Sequence, residues 1–427
     1  MAGSMTDTSG TGTAAWPMMR LCRQVLLFAI RGISTVSKFF LALYVARYLG
    51  LAELGIYGLV AAAGTLSPAL LGFGLTDWVV RQAVVTNHAE ALRKITARLT
   101  VSLAAHLIFQ PLIWMINFAL GSPVPTAWIW LIAPIVMLEH LASDAHDLLI
   151  ARGQIMLTSA LQFIRAALWP LAVVGTGLLY PETRTLDSML IGWLLGLILM
   201  WMTLVGWLLF QRQRLLPPWS ELSELLASTR VSLALYVRDI TGTASLFIDR
   251  YLISLTLGLE MTGVYIFFWS VANVAHGMVH TVIVQPQAAQ LINAAAQNNV
   301  PQFRDVQRKT LREATVWAIL MLIGAFGAVL VLLPLLQRPE LGAHLSVFVI
   351  ILAATLARTW ADEFGISLLA LHRDRAILIA SVTAVSASAA LNFLLVPLFG
   401  LAGAASAFLL TGVSVATLRW YLSLQKP

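Results

Sequence analysis

The stretch RGISTVSKFFLALYVARYLGLAELGIYG, Arg31–Gly58, decides how this chain folds. Its first part has the length and apolarity of a membrane-spanning helix, yet it carries Arg31 and Lys38. A cation near the middle of a bilayer costs about 2.5–3.5 kcal/mol on insertion scales. Arg31, Ser34, Thr35 and Lys38 fall at i, i+3, i+4 and i+7, so they share one face of the helix. Neither cation has an acidic residue three or four positions away. Such a stripe is untenable against lipid, and turned inward it lines a cavity.

The remainder of the chain supports a membrane setting. Of its 427 residues, 59% are hydrophobic and 11% charged, and the mean hydropathy is +0.83; soluble domains are about 25% charged. Apolar runs of span length recur along nearly the whole chain, and helices are the default because they satisfy their own backbone in lipid. The pattern predicts an all-α polytopic protein of about twelve spans, near 22–46, 54–79, 97–119, 126–150, 155–179, 187–210, 230–256, 262–286, 311–336, 345–370, 376–396 and 401–423. The longest polar segments between them are 211–229 and 291–310. Residues 1–20 read as a disordered arm without the basic start of a signal peptide, with Met18 or Met19 as alternative starts. Cys22 is the single cysteine, so no intramolecular disulfide forms.

Alternate connections are basic: Arg81, Arg93, Lys94 and Arg98; Arg152; Arg212 and Arg214; Arg304, Arg308, Lys309 and Arg312; Arg373 and Arg375. Arg20, Arg23 and Lys426 join that side, while the opposite loops offer Arg47, Arg184 and Arg338. The positive-inside rule then puts both termini in the cytoplasm. LGLAELGIY (Leu49–Tyr57) returns as LGLEMTGVY (Leu257–Tyr265), half a chain away. With six spans per half, the halves 21–215 and 216–427 have the same topology and relate by a two-fold axis along the membrane normal, as in transporters that rock two bundles about a central site.

Further charges lie inside the expected spans. Arg238, Thr241, Gly242, Ser245 and Asp249 form a stripe with Asp239 and Arg250 beside it, and Thr158, Gln162 and Arg165 form another. Glu139, His140, Asp144, His146 and Asp147 sit in the fourth span, Arg358, Asp362 and Glu363 in the tenth, and His276 and His280 one turn apart in the eighth. Each has a structural reading. Arg358 and Asp362 at i, i+4 can neutralise each other; Arg238 and Asp239 can snorkel to a boundary; Asp147 can belong to a wetted helix end. The two histidines lack a third ligand, so no metal site is assigned. Several unpaired cations turned to lipid would cost roughly 10–20 kcal/mol together. They therefore face an internal cavity, and a basic cavity suits an anion such as phosphate or pyrophosphate. Arg31, Lys38, Arg165, Arg238, Arg250 and Arg358 are the candidate anion-binding residues.

YVARYLGLAELGIYG (Tyr44–Gly58), LLGFGLTDWVVRQAV (Leu70–Val84) and LNFLLVPLFGLAGAASA (Leu391–Ala407) together resemble the polysaccharide flippases of the multidrug/oligosaccharidyl-lipid/polysaccharide exporter superfamily, the type that moves O-antigen or exopolysaccharide units. The resemblance covers the chain after the arm. It implies two six-helix lobes, alternating access, and movement of a polyprenyl-pyrophosphate-linked oligosaccharide from the cytoplasmic to the periplasmic leaflet of a bacterial inner membrane. It also implies membrane lipid as surroundings, polysaccharide polymerase machinery as a partner, and a proton or sodium gradient as driving force, with no cofactor. Asp144, Asp249 and Asp362 are the intramembrane carboxylates suited to such coupling.

A drug exporter of the same superfamily is the nearest alternative, and would favour an acidic or aromatic cavity. A membrane glycosyltransferase or polymerase is the alternative from another class. The sequence holds no Asp-x-Asp motif and no large loop for a catalytic site. It also lacks a Gly-x-x-x-x-Gly-Lys phosphate loop, which speaks against ATP hydrolysis. Nothing in it reads as a nucleic-acid-binding element.

Overall fold

A computed structural model describes residues 30–424 other than 31, 35, 123, 212–215 and 298. The expected arm 1–20 and the candidate Arg31 lie outside the described residues. Among the described residues there are helices and no strands. Nine continuous helical stretches among the described residues are long and apolar enough to cross a membrane. A crossing needs about 20 residues, yet Thr229–Ala296 has 68 and Asp374–Leu424 has 51. Each of these two is broken where a glycine has positive φ, Gly258 at 86° and Gly400 at 57°. Each is therefore two crossings.

In chain order the helices are α1 (36–49), α2 (Leu51–Leu71), α3 (Leu75–Val85), α4 (His88–Ala119), α5 (Ile129–Ala151), α6 (Ile155–Leu179), α7 (Leu186–Phe210), α8 (Trp219–Ala227), α9 (229–257), α10 (259–296), α11 (Val300–Leu336), α12 (Pro339–Ala343), α13 (Leu345–Ala370), α14 (374–399) and α15 (401–424). With α1 counted, and the short α3, α8 and α12 set aside, twelve membrane helices result. This chain is a multi-pass membrane protein. Among the described residues three helices contain a π-helical turn: Val45–Leu49 in α1, Ile164–Leu168 in α6 and His280–Val284 in α10.

The repeated motif marks the join between the halves. Gly50 (φ 145°) separates α1 from α2, and Gly258 separates α9 from α10 at the same point of the repeat. Further along each copy, α2 and α10 cross backbone to backbone. A Cβ on Gly55 would collide with the carbonyl oxygen of Leu259, and one on Gly263 with the carbonyl oxygen of Leu51. The two contacts are the same contact with the halves exchanged, since Leu51 and Leu259, like Gly55 and Gly263, stand 208 positions apart. Gly58 likewise faces Ile266, its own counterpart. Reciprocal contacts of this kind are what a two-fold relation requires.

Apolar packing differs at the two ends of the bundle. At the Gly50/Gly258 end one core spans both halves, with Leu54, Leu59, Ile135 and Leu190 continuous with Phe267, Phe268 and Phe348. Towards the other end, where α2 turns into α3, the first half has its own core around Leu75, Leu92, Leu148 and Leu204. There the second half has small separate clusters around Ala314 and Leu291. The halves are thus joined by a continuous apolar core at one end, while at the other the contacts between them include polar ones beside the packing of Phe73 on Tyr236. Tyr236 on α9 donates to the carbonyl of Leu70 at 2.8 Å, and Arg238 pairs with Asp77 on α3 at 2.5 Å.

Several helices differ in extent from the sequence expectation. α4 begins at His88 because Asn87 caps it by accepting from the Glu90 amide at 3.0 Å. α11 begins at Val300, capped by Asn299 through the Gln302 amide. The second expected span, 54–79, is interrupted by a turn in which Phe73 and Gly74 both have positive φ. α8 occupies part of the expected polar connection 211–229. Its Glu221 and Glu224 hold Lys94 of α4 at 3.5 and 3.2 Å.

Candidate functional site

In the first half, polar residues converge from α1, α2, α5, α6 and α7. The π-helical turn in α6 contains Arg165, whose Nε donates to Glu139 Oε2 at 2.6 Å and whose terminal nitrogen lies 2.5 Å from the same oxygen. The other carboxylate oxygen accepts from Trp193 Nε1 at 2.8 Å. Trp193 stacks on Trp169, with centroids 5.1 Å apart and planes 6° apart, and packs against Tyr57. Gly64 of α2 leaves room for the Glu139 stem. Lys38 is exposed on α1, close enough for its charge to be felt alongside Glu139 and Arg165. Thr158, Gln162 and Arg165, read from the sequence as one stripe, line a small cleft with His146 and Met200.

In the second half the site is built from α9, α10, α13 and α15. Arg250 is 3% exposed, and its guanidinium lies 4.0 Å from the ring centre of Trp269 and 4.5 Å from that of Phe247. Its Nε and one terminal nitrogen are buried without a hydrogen-bond acceptor. The adjacent Asp249 does not take them: its carboxylate accepts from the Tyr265 hydroxyl at 2.6 Å and from the backbone N–H of Arg250 at 2.8 Å. Neighbouring residues on a helix point about 100° apart, which explains why the two side chains part. Asp362 lies 3.0 Å from His276 Nε2 and 4.0 Å from both Arg358 and Arg419. Arg358 also donates to Asn273 Oδ1 at 3.0 Å. His276 and His280 stack, with centroids 6.0 Å apart. Two arginines and a histidine around one carboxylate leave this cluster positive.

Two other candidates sit elsewhere. Arg238 is shared by two carboxylates, Asp77 and Asp239, at the polar end of the junction between the halves. Asp144 is enclosed in the first half: it pairs with Arg98 at 3.0 Å and accepts from Thr76 and Ser102 at 2.7 and 2.6 Å. His140 stands 3.4 Å from it and contacts His106 at 2.9 Å. Arg98, counted from the sequence among the loop cations, is fully buried because α4 starts ten residues before it. Trp193, Trp269 and Arg419 were not singled out from the sequence. A tryptophan in an apolar span carries no signal of its partner, and Arg419 lies close enough to the end of a span to read as an anchor.

No family model and no curated protein matches the sequence. Among solved structures the chain has the fold of transporters. A multidrug resistance MATE family transporter of the MOP superfamily, in an inward-facing conformation, is 14% identical with a TM-score of 0.68, over 91% of this chain and 93% of that one. The lipid II flippase MurJ, in an inward closed conformation, is 12% identical with a TM-score of 0.76, over 94% and 88%. A MOP superfamily transporter from Pyrococcus furiosus, described as having a binding pocket of reverse polarity, is 11% identical with a TM-score of 0.57, over 93% and 92%. At such identities the likeness defines the fold: the two-lobed helical bundle of MATE and MurJ transporters.

Proposed function

We propose that this protein is a flippase that carries a polyprenyl-pyrophosphate-linked oligosaccharide from the cytoplasmic to the periplasmic leaflet of a bacterial inner membrane, for polysaccharide or lipopolysaccharide assembly. The observation that carries this reading is Arg250, a buried guanidinium with two donors unused, beside a cluster holding Arg358 and Arg419. Burying a cation with unmade hydrogen bonds is costly, and a pyrophosphate offers the acceptors that relieve the cost. Lys38 lends charge from the first half, where Arg165 is held by Glu139. The shared apolar core closes one end of the bundle, so access runs from the end bearing the basic loops. The positive-inside rule makes that end cytoplasmic, along with both termini. Alternating access then opens the sealed end, with the lipid tail left in the bilayer and a polymerase receiving the glycan.

The test is leaflet accessibility. Spheroplasts lacking the protein are probed with an impermeant lectin after add-back of wild type or Arg250→Met. Shielded glycan that wild type exposes and a normally inserted Arg250→Met does not is the expected result. Normal exposure without the protein, in cells with no second flippase, overturns the reading. Export of cationic drugs, the reading that the MATE-like fold favours, is then measured in the same strains.

A further inference from the structure

The cations of the basic connections divide into those engaged by the protein itself and those left free. Lys94 is held by Glu221 and Glu224, Arg93 by Glu221, and Arg98 by Asp144. Arg152 donates to the carbonyls of Ala83 and Thr86, and Arg373 to that of Leu422. Arg304, Arg308, Lys309 and Arg312 of α11 are all exposed, and none has a hydrogen-bond or ion-pair partner among the described residues. Two acidic residues share that stretch. Asp305 is exposed, and Glu313 accepts from Gln287 Nε2 of α10 at 2.7 Å. Four free cations beside one exposed carboxylate leave a positive surface. Arg81, by contrast, is an exposed cation with no second one on α3.

The place of this surface along α11 determines what meets it. α11 has 37 residues, and its last, Leu336, lies in the apolar core that joins the halves. A crossing takes about 20 residues, so counting back from Leu336 puts the hydrocarbon boundary near Val316. Arg308, Arg312, Val316, Ile319 and Ile323 follow at helical intervals and share one face. That face is exposed throughout, 52% at Val316 and 64% at Ile323. Thr310, Ala314, Ala318 and Leu322, on the other side, are buried. Within the hydrocarbon the exposed face is apolar and meets lipid tails. Just outside it, at headgroup depth, the same face carries two arginines one turn apart, with Lys309 beside them and Arg304 a turn further out. A guanidinium fork fits a phosphate. We propose that this face of α11 binds an anionic phospholipid, its phosphate held between Arg308 and Arg312 and its acyl chains lying along Val316, Ile319 and Ile323. Each basic side chain near an anionic headgroup adds about fivefold to the attraction. A zwitterionic headgroup brings its own cation, which competes for the phosphate. The site does not depend on what the protein transports.

In the test, the full chain in detergent is mixed with equal amounts of phosphatidylglycerol and phosphatidylcholine, and the retained lipids are counted by native mass spectrometry. Wild type is expected to keep phosphatidylglycerol in preference. Arg308→Gln/Arg312→Gln should lower that preference on the order of 25-fold. Arg308→Lys/Arg312→Lys, which keeps the charge, and Arg81→Gln, which removes a lone cation elsewhere, should retain most of it. All four proteins should melt alike in detergent without added lipid, and a lower melt for the glutamine pair overturns the premise that these cations are free. No preference in wild type, or one that the glutamine pair leaves intact, overturns the site. So does an equal loss in Arg81→Gln, which would mean that overall charge rather than this face attracts the lipid. A last arm adds inorganic pyrophosphate. Phosphatidylglycerol retained in its presence supports the lipid site; displacement at an equal concentration assigns the arginines to a soluble anion instead.

Discussion

Glu139 in the first half accepts from Arg165 and Trp193 at 2.6 and 2.8 Å, whereas Arg250 in the second half, just as buried, leaves two nitrogens without an acceptor. Both halves carry cations in their spans, and both surround them with tryptophan. In the first half the tryptophan ring nitrogen helps to satisfy a carboxylate, which in turn satisfies the arginine. In the second half the tryptophan offers Arg250 only its face, a contact that attracts a cation but accepts no N–H hydrogen bond. Counting cations therefore says little about which are available to a ligand, because availability is set by what remains unpaired.

The largest effect expected tests whether the enclosed charges of the first half are structural. Arg98→Met should destabilise the protein by about 3–5 kcal/mol, since it strands Asp144 in the interior; a thermal melt in detergent reads this directly. Arg250→Met should behave in the opposite way. It should leave the melting temperature unchanged or raised, while glycan exposure falls on the order of 100-fold, because hydrogen bonds to charged groups contribute about 1.5–3 kcal/mol each. A melt as poor as that of Arg98→Met would erase the contrast between the halves. Lys38→Ala, exposed and supplying one point charge, should reduce exposure of the glycan roughly tenfold, in line with about 1.4 kcal/mol. Asp239→Asn is expected to change transport less than about threefold, because Asp77 still holds Arg238 and partly exposed ion pairs contribute only about 0–1 kcal/mol.

Much of the architecture was legible in the sequence. The alternation of apolar runs gave the number of crossings, and the LGL repeat pointed to the glycines at which α1 and α9 end. What the sequence did not disclose is pairing across helices. Arg98 and Asp144 lie 46 positions apart, and no periodicity links residues on different helices; the same holds for Arg165 with Glu139 and for Arg419 with Asp362. The i, i+4 spacing of Arg358 and Asp362 did predict their proximity, yet at 4.0 Å the closer partner of Asp362 is His276 on another helix. The helices of the spans expected at 97–119 and 311–336 begin earlier, at His88 and Val300, because their first turns are polar and hydropathy sees only the part that crosses lipid.

The glycine crossing of α2 and α10 limits what either helix can carry there. Each glycine sits under a carbonyl supplied by the other copy, so neither copy can acquire even a methyl group there without breaking a contact that belongs to both. The two sites differ in partners: Arg165 is paired with Glu139, whereas Arg250 keeps two nitrogens without an acceptor. A side chain added at Gly55 or Gly263 would therefore push the two halves apart at the crossing where these backbones meet, away from either cluster of charges.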